Sequence, residues 1–246
     1  PLANCVGNRS IGPAGNTKMN MFERTGLLGG TFDPAHNGHV SIAETAKRVF
    51  KLDRVLLIPT RVPPHRLSAP MASPSDRLAM VELAVQGHQG LAASDLELQG
   101  PVPTYTTETL QRLIDGGQSR LRLFFITGAD AFADITNWQG YPELLDQSHF
   151  VVLSRPGHDL STLRHSLPEI AHRFHEVSLE DLGPFPDKGR TAIFSIEANA
   201  PDIASSLIRR RLSVGASIDD LVPRGIAEYI HAHRLYGPSP SGRHFQ

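Results

Sequence analysis

Apolar runs and helical patterns alternate along most of the chain. Short apolar, β-branched or aromatic runs recur at Leu27-Leu28, at Arg54–Pro59, at 121–126 and at 149–153, with further candidates at 91–98, 174–178 and 191–196. Between them lie stretches with helical spacing. One runs from Asn37, a plausible N-cap, to about Phe50. Another covers 74–87, with Ser73 as N-cap, Pro74 at its first position and Asp76 completing a capping box. A third opens at Thr106 and carries Leu110 and Leu113, and a last one begins near Pro223 and carries Ile226, Tyr229 and Ile230. Because the apolar runs do not alternate with polar residues, they read as strands covered on both faces. The pattern predicts a single doubly wound α/β domain with a mainly parallel sheet, whose ligands lie at the carboxyl ends of the strands.

The ends of the chain lack either period. Residues 1–24, rich in Gly, Asn and Pro, read as a disordered N-terminal extension, and Met19 and Met21 stand just before the first strand. Residues 237–246 read as a tail, leaving 25–236 as the domain. The 246 residues are 40% hydrophobic and 20% charged, enough for one domain with a proper core. A formal net charge of −1 gives no global electrostatic case for nucleic acid or an anionic membrane as partner. The single cysteine, Cys5, cannot form an internal disulfide, which suits a reducing compartment. No apolar run approaches the roughly 18 residues of a membrane span, and the N-terminus lacks a secretory core, so a cytoplasmic protein is expected.

The candidate chemistry concentrates in residues 25–39, TGLLGGTFDPAHNGH. Leu27 and Leu28 supply a strand, and Gly29 and Gly30 allow backbone conformations and close approach that a side chain would block. Phe32-Asp33-Pro34 is expected to pass in extended form, since a residue before proline avoids the helical region. The amides of the following helix start would point back at the glycine turn, forming a phosphate site with His36 and His39 at its mouth. A dinucleotide-type G-x-G-x-x-G loop is absent, and a zinc pair from His36 and His39 lacks a third ligand at suitable spacing. A second cluster lies at 202–209, where Ser205, Ser206 and Arg209 share a helix face as hydroxyls beside a guanidinium, an anion clamp. Arg210 and Arg211 read as a solvent-facing run.

These stretches resemble the nucleotidyltransferase superfamily. His36-Asn37-Gly38-His39 is similar to its H-x-G-H element, and 203–209 to its I-S-S-T-x-I-R element, with Ala204 replacing the first serine. Within the superfamily the chain looks like the nicotinate mononucleotide adenylyltransferases. Pro63-Pro64-His65-Arg66 resembles their P-P-H-K loop, 103–110 their S-Y-T-x-D-T-L segment, and Gly128 and Asp130 followed by Trp138 their I-x-G-x-D and tryptophan. The ending, with Val222, Pro223, Tyr229 and Tyr236, is also similar. The resemblance implies a Rossmann-like nucleotidyltransferase fold and adenylyl transfer from ATP to nicotinate mononucleotide, giving nicotinate adenine dinucleotide and pyrophosphate in NAD biosynthesis.

It also implies a set of roles. ATP would bind across Gly29, Gly30, Thr31 and Phe32, with its phosphates at the first helix start and at Ser206 and Arg209, with Gly38, Gly128 and Ser205 also in contact with it and Asp130 on the ribose. An alternative for Asp130 is an N-cap of the short helix after it. His36, His39 and Arg209 would be the catalytic cations, phosphate favouring the charged imidazoles. His65, Arg66, Tyr105, Thr106, Trp138 and Gln139 would hold the mononucleotide. Trp138 would stack on the pyridine ring, with core packing as its alternative, and amides near Thr106 and Gln139 would receive the nicotinate carboxylate. No carboxylate cage for a metal is visible, so Mg2+ would arrive bound to ATP. Competing readings are transfer to nicotinamide mononucleotide or phosphopantetheine, and a nucleotide-binding protein without catalysis. Homo-oligomerisation is compatible with the sequence but not specified by it.

Overall fold

Seven strands form one parallel sheet in the order β3-β2-β1-β4-β5-β7-β6. They are β1 (Thr25–Gly30), β2 (Arg54–Pro59), β3 (Leu91–Ala93), β4 (Leu123–Gly128), β5 (His149–Ser154), β6 (Phe174–Glu176) and β7 (Ile193–Glu197). The helices are α1 (Asn37–Val49), α2 (Pro74–Val85), α3 (Thr106–Asp115), α4 (Ala129–Phe132), α5 (Leu160–Ser166), α6 (Ser205–Ser213) and α7 (Arg224–Ala232). The structure, a computed structural model, describes residues 23–62, 69–100, 102–154, 160–180, 189–197 and 201–237. The expectations for residues 1–22 and 238–246, and those for His65 and Arg66, lie outside the described residues.

The unbroken apolar runs are explained by two cores. Successive strand residues point to opposite faces, so Leu27, Ile58, Phe125 and Val152 pack on one side with α3, α4 and α5. Their neighbours Leu28, Leu57, Phe124 and Val151 pack on the other with α1, α2, α6 and α7. Gly26 is required by this packing, because a Cβ there would stand 2.8–3.0 Å from Leu52, Val55 and Ile126. The strand order reverses between β1 and β4, which opens a crevice at their carboxyl ends.

Several predicted boundaries move. The 91–98 strand stops at Ala93, because Leu98 turns back to donate its amide to the Asp95 carbonyl at 2.9 Å. Residues 120–122 form a 3-10 turn, so β4 begins at Leu123, and β6 ends at Glu176. The predicted helix over 74–87 ends at Val85, since Gln86 is extended and Gly87 has φ +83°. Its start holds: Ser73 Oγ accepts the Asp76 amide at 3.1 Å and donates to the Asp76 carboxylate at 2.6 Å. Those hydroxyl bonds, outweighing burial and aided by Tyr229, hold the Asp76 carboxyl below its usual value. Tyr229 Oη donates to Asp76 Oδ1 at 2.9 Å and thereby ties α7 to α2.

Two buried charged residues fix the loops at the carboxyl edge. Arg77 on α2 is 0% exposed and donates to the carbonyls of Thr31 (2.8 Å), Thr60 (2.6 Å) and Arg61 (3.1 Å), joining the segments that leave β1 and β2. Asp33, 1% exposed, accepts the amides of Met71 and Ala72 at 3.0 Å each and the Tyr236 hydroxyl at 2.8 Å. The expected extended passage through Phe32-Asp33-Pro34 is therefore a turn. Phe32 takes the left-handed region at φ +51° and the Asp33-Pro34 peptide is cis. Neither Gly29 nor Gly30 has a positive φ, so the sharp backbone conformation falls on Phe32 rather than on the glycines.

Burial first, then the Asp33 charge and hydrogen bond, drive the Tyr236 phenol far above its ordinary value of 10.0. A raised folded-state value means that its contribution is complete below the unfolded value and is lost as pH climbs beyond it. Tyr236→Phe should lower unfolding free energy by about 2 kcal/mol at pH 7, the usual worth of a bond to a charged group. In urea titrations the gap between parent and variant should stay constant at neutral pH and close above about pH 10.

Candidate active site

A cleft of about 250 Å³ occupies the crevice that the topology opens. Gly29, Gly30 and Thr31 supply one wall from the end of β1, and Phe125 and Thr127 another from β4. Tyr105 and Thr106 enter from the start of α3, and Trp138 and Gln139 from the loop after α4. The predicted mononucleotide residues in the described chain thus converge with the glycines predicted for ATP. Thr106 and Thr107 occupy the first turn of α3, where backbone amides have no carbonyl one turn back within the helix. Trp138 is half-buried, edge-on to Phe125 with centroids 6.0 Å apart, so it is neither wholly core nor wholly free. His65 and Arg66 fall outside the described residues.

The histidine pair is built by the start of α1. His36, not Asn37, is the N-cap, with extended φ/ψ of −153° and 169°. Its backbone amide donates to His39 Nδ1 at 3.2 Å, and the two rings stack with centroids 3.6 Å apart. Phe32 closes the His39 ring from its edge at 4.8 Å. Buried at 2% exposure, Phe32 offers this packing contact from its side chain. With Nδ1 as acceptor, the His39 ring proton resides on Nε2, so a neutral His39 already presents a donor there. Gly38 is needed for the stack, since a Cβ would lie 3.1 Å from His36 Nδ1 and 3.3 Å from the Pro201 carbonyl.

The expected ring of free amides at this helix start is reduced. The Asn37 amide donates to the Leu221 carbonyl at 3.0 Å, and the His39 amide to the His36 carbonyl at 2.9 Å. The Gly38 amide, by contrast, has no helical acceptor by position.

The second motif meets the first. Arg209 on α6 donates through Nη1 to the Asp33 carbonyl at 2.6 Å and stands 3.7 Å from the Asp33 carboxylate. Ser205 Oγ donates to the Pro34 carbonyl at 3.0 Å, so its proton holds the loop instead of facing an anion. Ser206, at the second position of α6, is exposed. Segments about 170 residues apart in sequence are thereby stitched to one turn. Asp130 is exposed and lies inside α4, whose N-cap is Gly128, so it does not cap that helix. Its carboxylate curls over Gly128 to where a Cβ would stand.

Sequence reasoning missed Glu97. It lines the cleft at 5% exposure and accepts the Thr109 hydroxyl at 2.9 Å. Burial raises its carboxyl above the usual value, against the lowering effects of the Thr109 and Thr60 hydroxyls and of Arg112. The only signal was an acidic residue between two leucines in a short apolar run. Arg77 and the carboxylate role of Asp33 were missed as well, since neither burial nor partners of that range leave a local pattern.

Comparison with known proteins identifies the family. The cytidylyltransferase-like family model matches residues 27–211. A protein of Desulfatibacillum aliphaticivorans named "Probable nicotinate-nucleotide adenylyltransferase" is 38% identical over 221 residues, covering 87% of this chain and 99% of that protein. One of the same name from Serratia proteamaculans (strain 568) is 36% identical over 210 residues, covering 85% and 94%. Among solved structures, the nicotinic acid mononucleotide adenylyltransferase of Plasmodium falciparum complexed with NaAD superposes with a TM-score of 0.64. That match has 18% identity and covers 87% of this chain and 97% of that one. The chain belongs to the cytidylyltransferase-like family and, within it, to the nicotinate-nucleotide adenylyltransferases.

Proposed function

We propose that this nucleotidyltransferase transfers an adenylyl group from MgATP to nicotinate mononucleotide. The observation that carries the reading is the convergence of His36, His39 and Arg209 on one turn beside a cleft holding an indole and a helix start. The triphosphate would lie along Gly29, Gly30, Thr31 and Phe32, with Gly38, Ser205 and Ser206 near its phosphates and Gly128 and Asp130 near its ribose. Trp138 would stack on the pyridine, with Tyr105 and Gln139 around it and His65 and Arg66 on the mononucleotide phosphate. The divalent ion, Mg2+, is part of the substrate. No helix among the described residues is long and apolar enough to cross a membrane, which accords with a cytoplasmic site of action. No nucleic acid is required as partner, and a homo-oligomer is compatible with this reading.

In this mechanism an oxygen of the mononucleotide 5′-phosphate attacks the α-phosphorus of ATP in line. The new P–O bond forms as the bond to the β-phosphate oxygen breaks, and pyrophosphate leaves with that electron pair. The attacking phosphate is already anionic, so no strong base is needed. The protein's task is positioning and stabilisation of charge on the α-phosphoryl group and the leaving pyrophosphate. His39 donates from Nε2, and Arg209 supplies fixed positive charge while anchoring the turn.

The amide mononucleotide is the second reading, favoured by one feature. Glu97 in the cleft can accept from a carboxamide N–H, whereas an ionised Glu97 repels a nicotinate carboxylate. Against it, the α3 amides are donors suited to an acceptor-only carboxylate. Pyrophosphate release measured with each mononucleotide decides: the acid should give the higher kcat/KM, and a clear preference for the amide rejects the first reading.

His39→Ala should fold normally and lose about 10²–10³ in kcat, the usual cost of removing a preorganised donor. Near-parental turnover in the same assay removes His39 from the mechanism. Glu97→Gln tests the buried carboxyl. Because its folded-state value is raised, the parent's stability from this group is full below the ordinary 4.5 and declines as pH rises. Urea midpoints should therefore favour the variant more at pH 7 than at about pH 4.5.

A further inference from the structure

The amino edge of the sheet carries a hollow unrelated to the cleft just described. Its volume is about 520 Å³, twice that of the substrate cleft and within the usual range for small-molecule sites. Arg120, Arg173, Arg190, His172 and His175 line it, with Asp146 as the one acidic group among the described residues. All of them stand before or at the start of β4, β5, β6 or β7, so a strand of six residues separates this edge from the substrate edge. At about 3.3 Å per residue that is roughly 20 Å.

The floor of the hollow is already neutral. Arg173 Nη2 bonds Asp146 Oδ1 at 3.0 Å, the Leu145 carbonyl at 2.7 Å and Thr191 Oγ1 at 2.8 Å. Thr191 Oγ1 in turn donates to the Leu145 carbonyl at 2.7 Å. Among the described lining residues, the Asp146 carboxylate is thus matched by the half-buried Arg173 guanidinium. Arg120 and Arg190 on the rim have no ion-pair partner among the described residues, and the exposed imidazoles of His172 and His175 stand beside them. In a chain of net charge −1, this is a local surplus of at least two positive charges around a preformed concavity.

We propose that this hollow binds a small molecule bearing several linked phosphoryl groups, a nucleoside triphosphate or an inorganic polyphosphate. Guanidiniums suit phosphoryl oxygens because their planar donor forks match them in pairs. At about 520 Å³ the hollow has room for a chain of linked phosphoryl groups, where one inorganic phosphate would leave most of the space empty. The substrate cleft offers the opposite character: its lining includes Glu97 and no arginine or lysine among the described residues.

The test is a heteronuclear NMR titration of the full chain with tripolyphosphate, then with a nucleoside triphosphate. Saturable shifts are expected at the amides of Arg173, His175, Thr191 and Ala192, weakening as salt is raised. The Arg120→Ser/Arg190→Ser double variant should bind at that edge about tenfold more weakly, each exposed guanidinium being worth a few-fold. Its spectrum elsewhere, and its turnover, should match the parent. Equal shifts with both ligands assign recognition to the phosphoryl chain, and tighter binding of the nucleotide adds a base contact. The proposal is overturned by shifts confined to Gly30, His39 and Ser205, by an unchanged titration in the double variant, or by a response to a short RNA with none to tripolyphosphate.

Discussion

The structure around the substrate cleft depends on the carboxylate of Asp33. It lies in the turn between β1 and α1, and three separate parts of the chain reach it. The segment before α2 donates two amides, the C-terminal Tyr236 donates a hydroxyl, and Arg209 of α6 lies against both its carbonyl and its carboxylate. A buried carboxylate without such donors would cost several kcal/mol in desolvation. With them it becomes a reason for the turn to take one conformation. That conformation includes Phe32 at positive φ, which places the aromatic ring against His39. The position of a catalytic candidate thus follows from a buried residue outside the cleft's lining.

The imidazole pair carries the same logic one step further. Stacked 3.6 Å apart, two imidazoles repel each other if both are charged, and the His36 amide needs His39 Nδ1 unprotonated. Both constraints favour a neutral, correctly oriented donor over a cation. Arg209, whose guanidinium stays charged across the ordinary pH range, stands at the same turn as a permanent cation. This arrangement follows from local packing, and the sequence spacing H-x-G-H alone does not reveal it.

Much of the fold was legible because it is periodic. Non-alternating strands such as 149–153 required cover on both faces, and the two cores supply it. Helix starts marked by Ser73 and Thr106 stand where their local chemistry placed them. Ends were less legible, as at 91–98, where a turn anchored on Asp95 competes with strand pairing. In the site, the glycines, histidines and Trp138 were identifiable because each belongs to a short contiguous pattern. Glu97 and Arg77 were not, because their meaning lies in partners brought by other elements. Arg77 looks like any polar residue on α2 until three carbonyls from two other segments close around it.

The topology explains why these missed residues sit where they do. Every parallel strand delivers its following loop to the same edge, so the carboxyl edge gathers the ends of β1, β2 and β4 with the start of α6. Each loop arrives with backbone carbonyls that no strand satisfies. Arg77, Arg209 and Ser205 are the donors that answer them, at Thr31, Thr60, Arg61, Asp33 and Pro34. The polar network at the cleft is therefore first a solution to a folding problem that a parallel sheet creates. The same donors, in satisfying the loops, also fix where the imidazoles and the guanidinium stand.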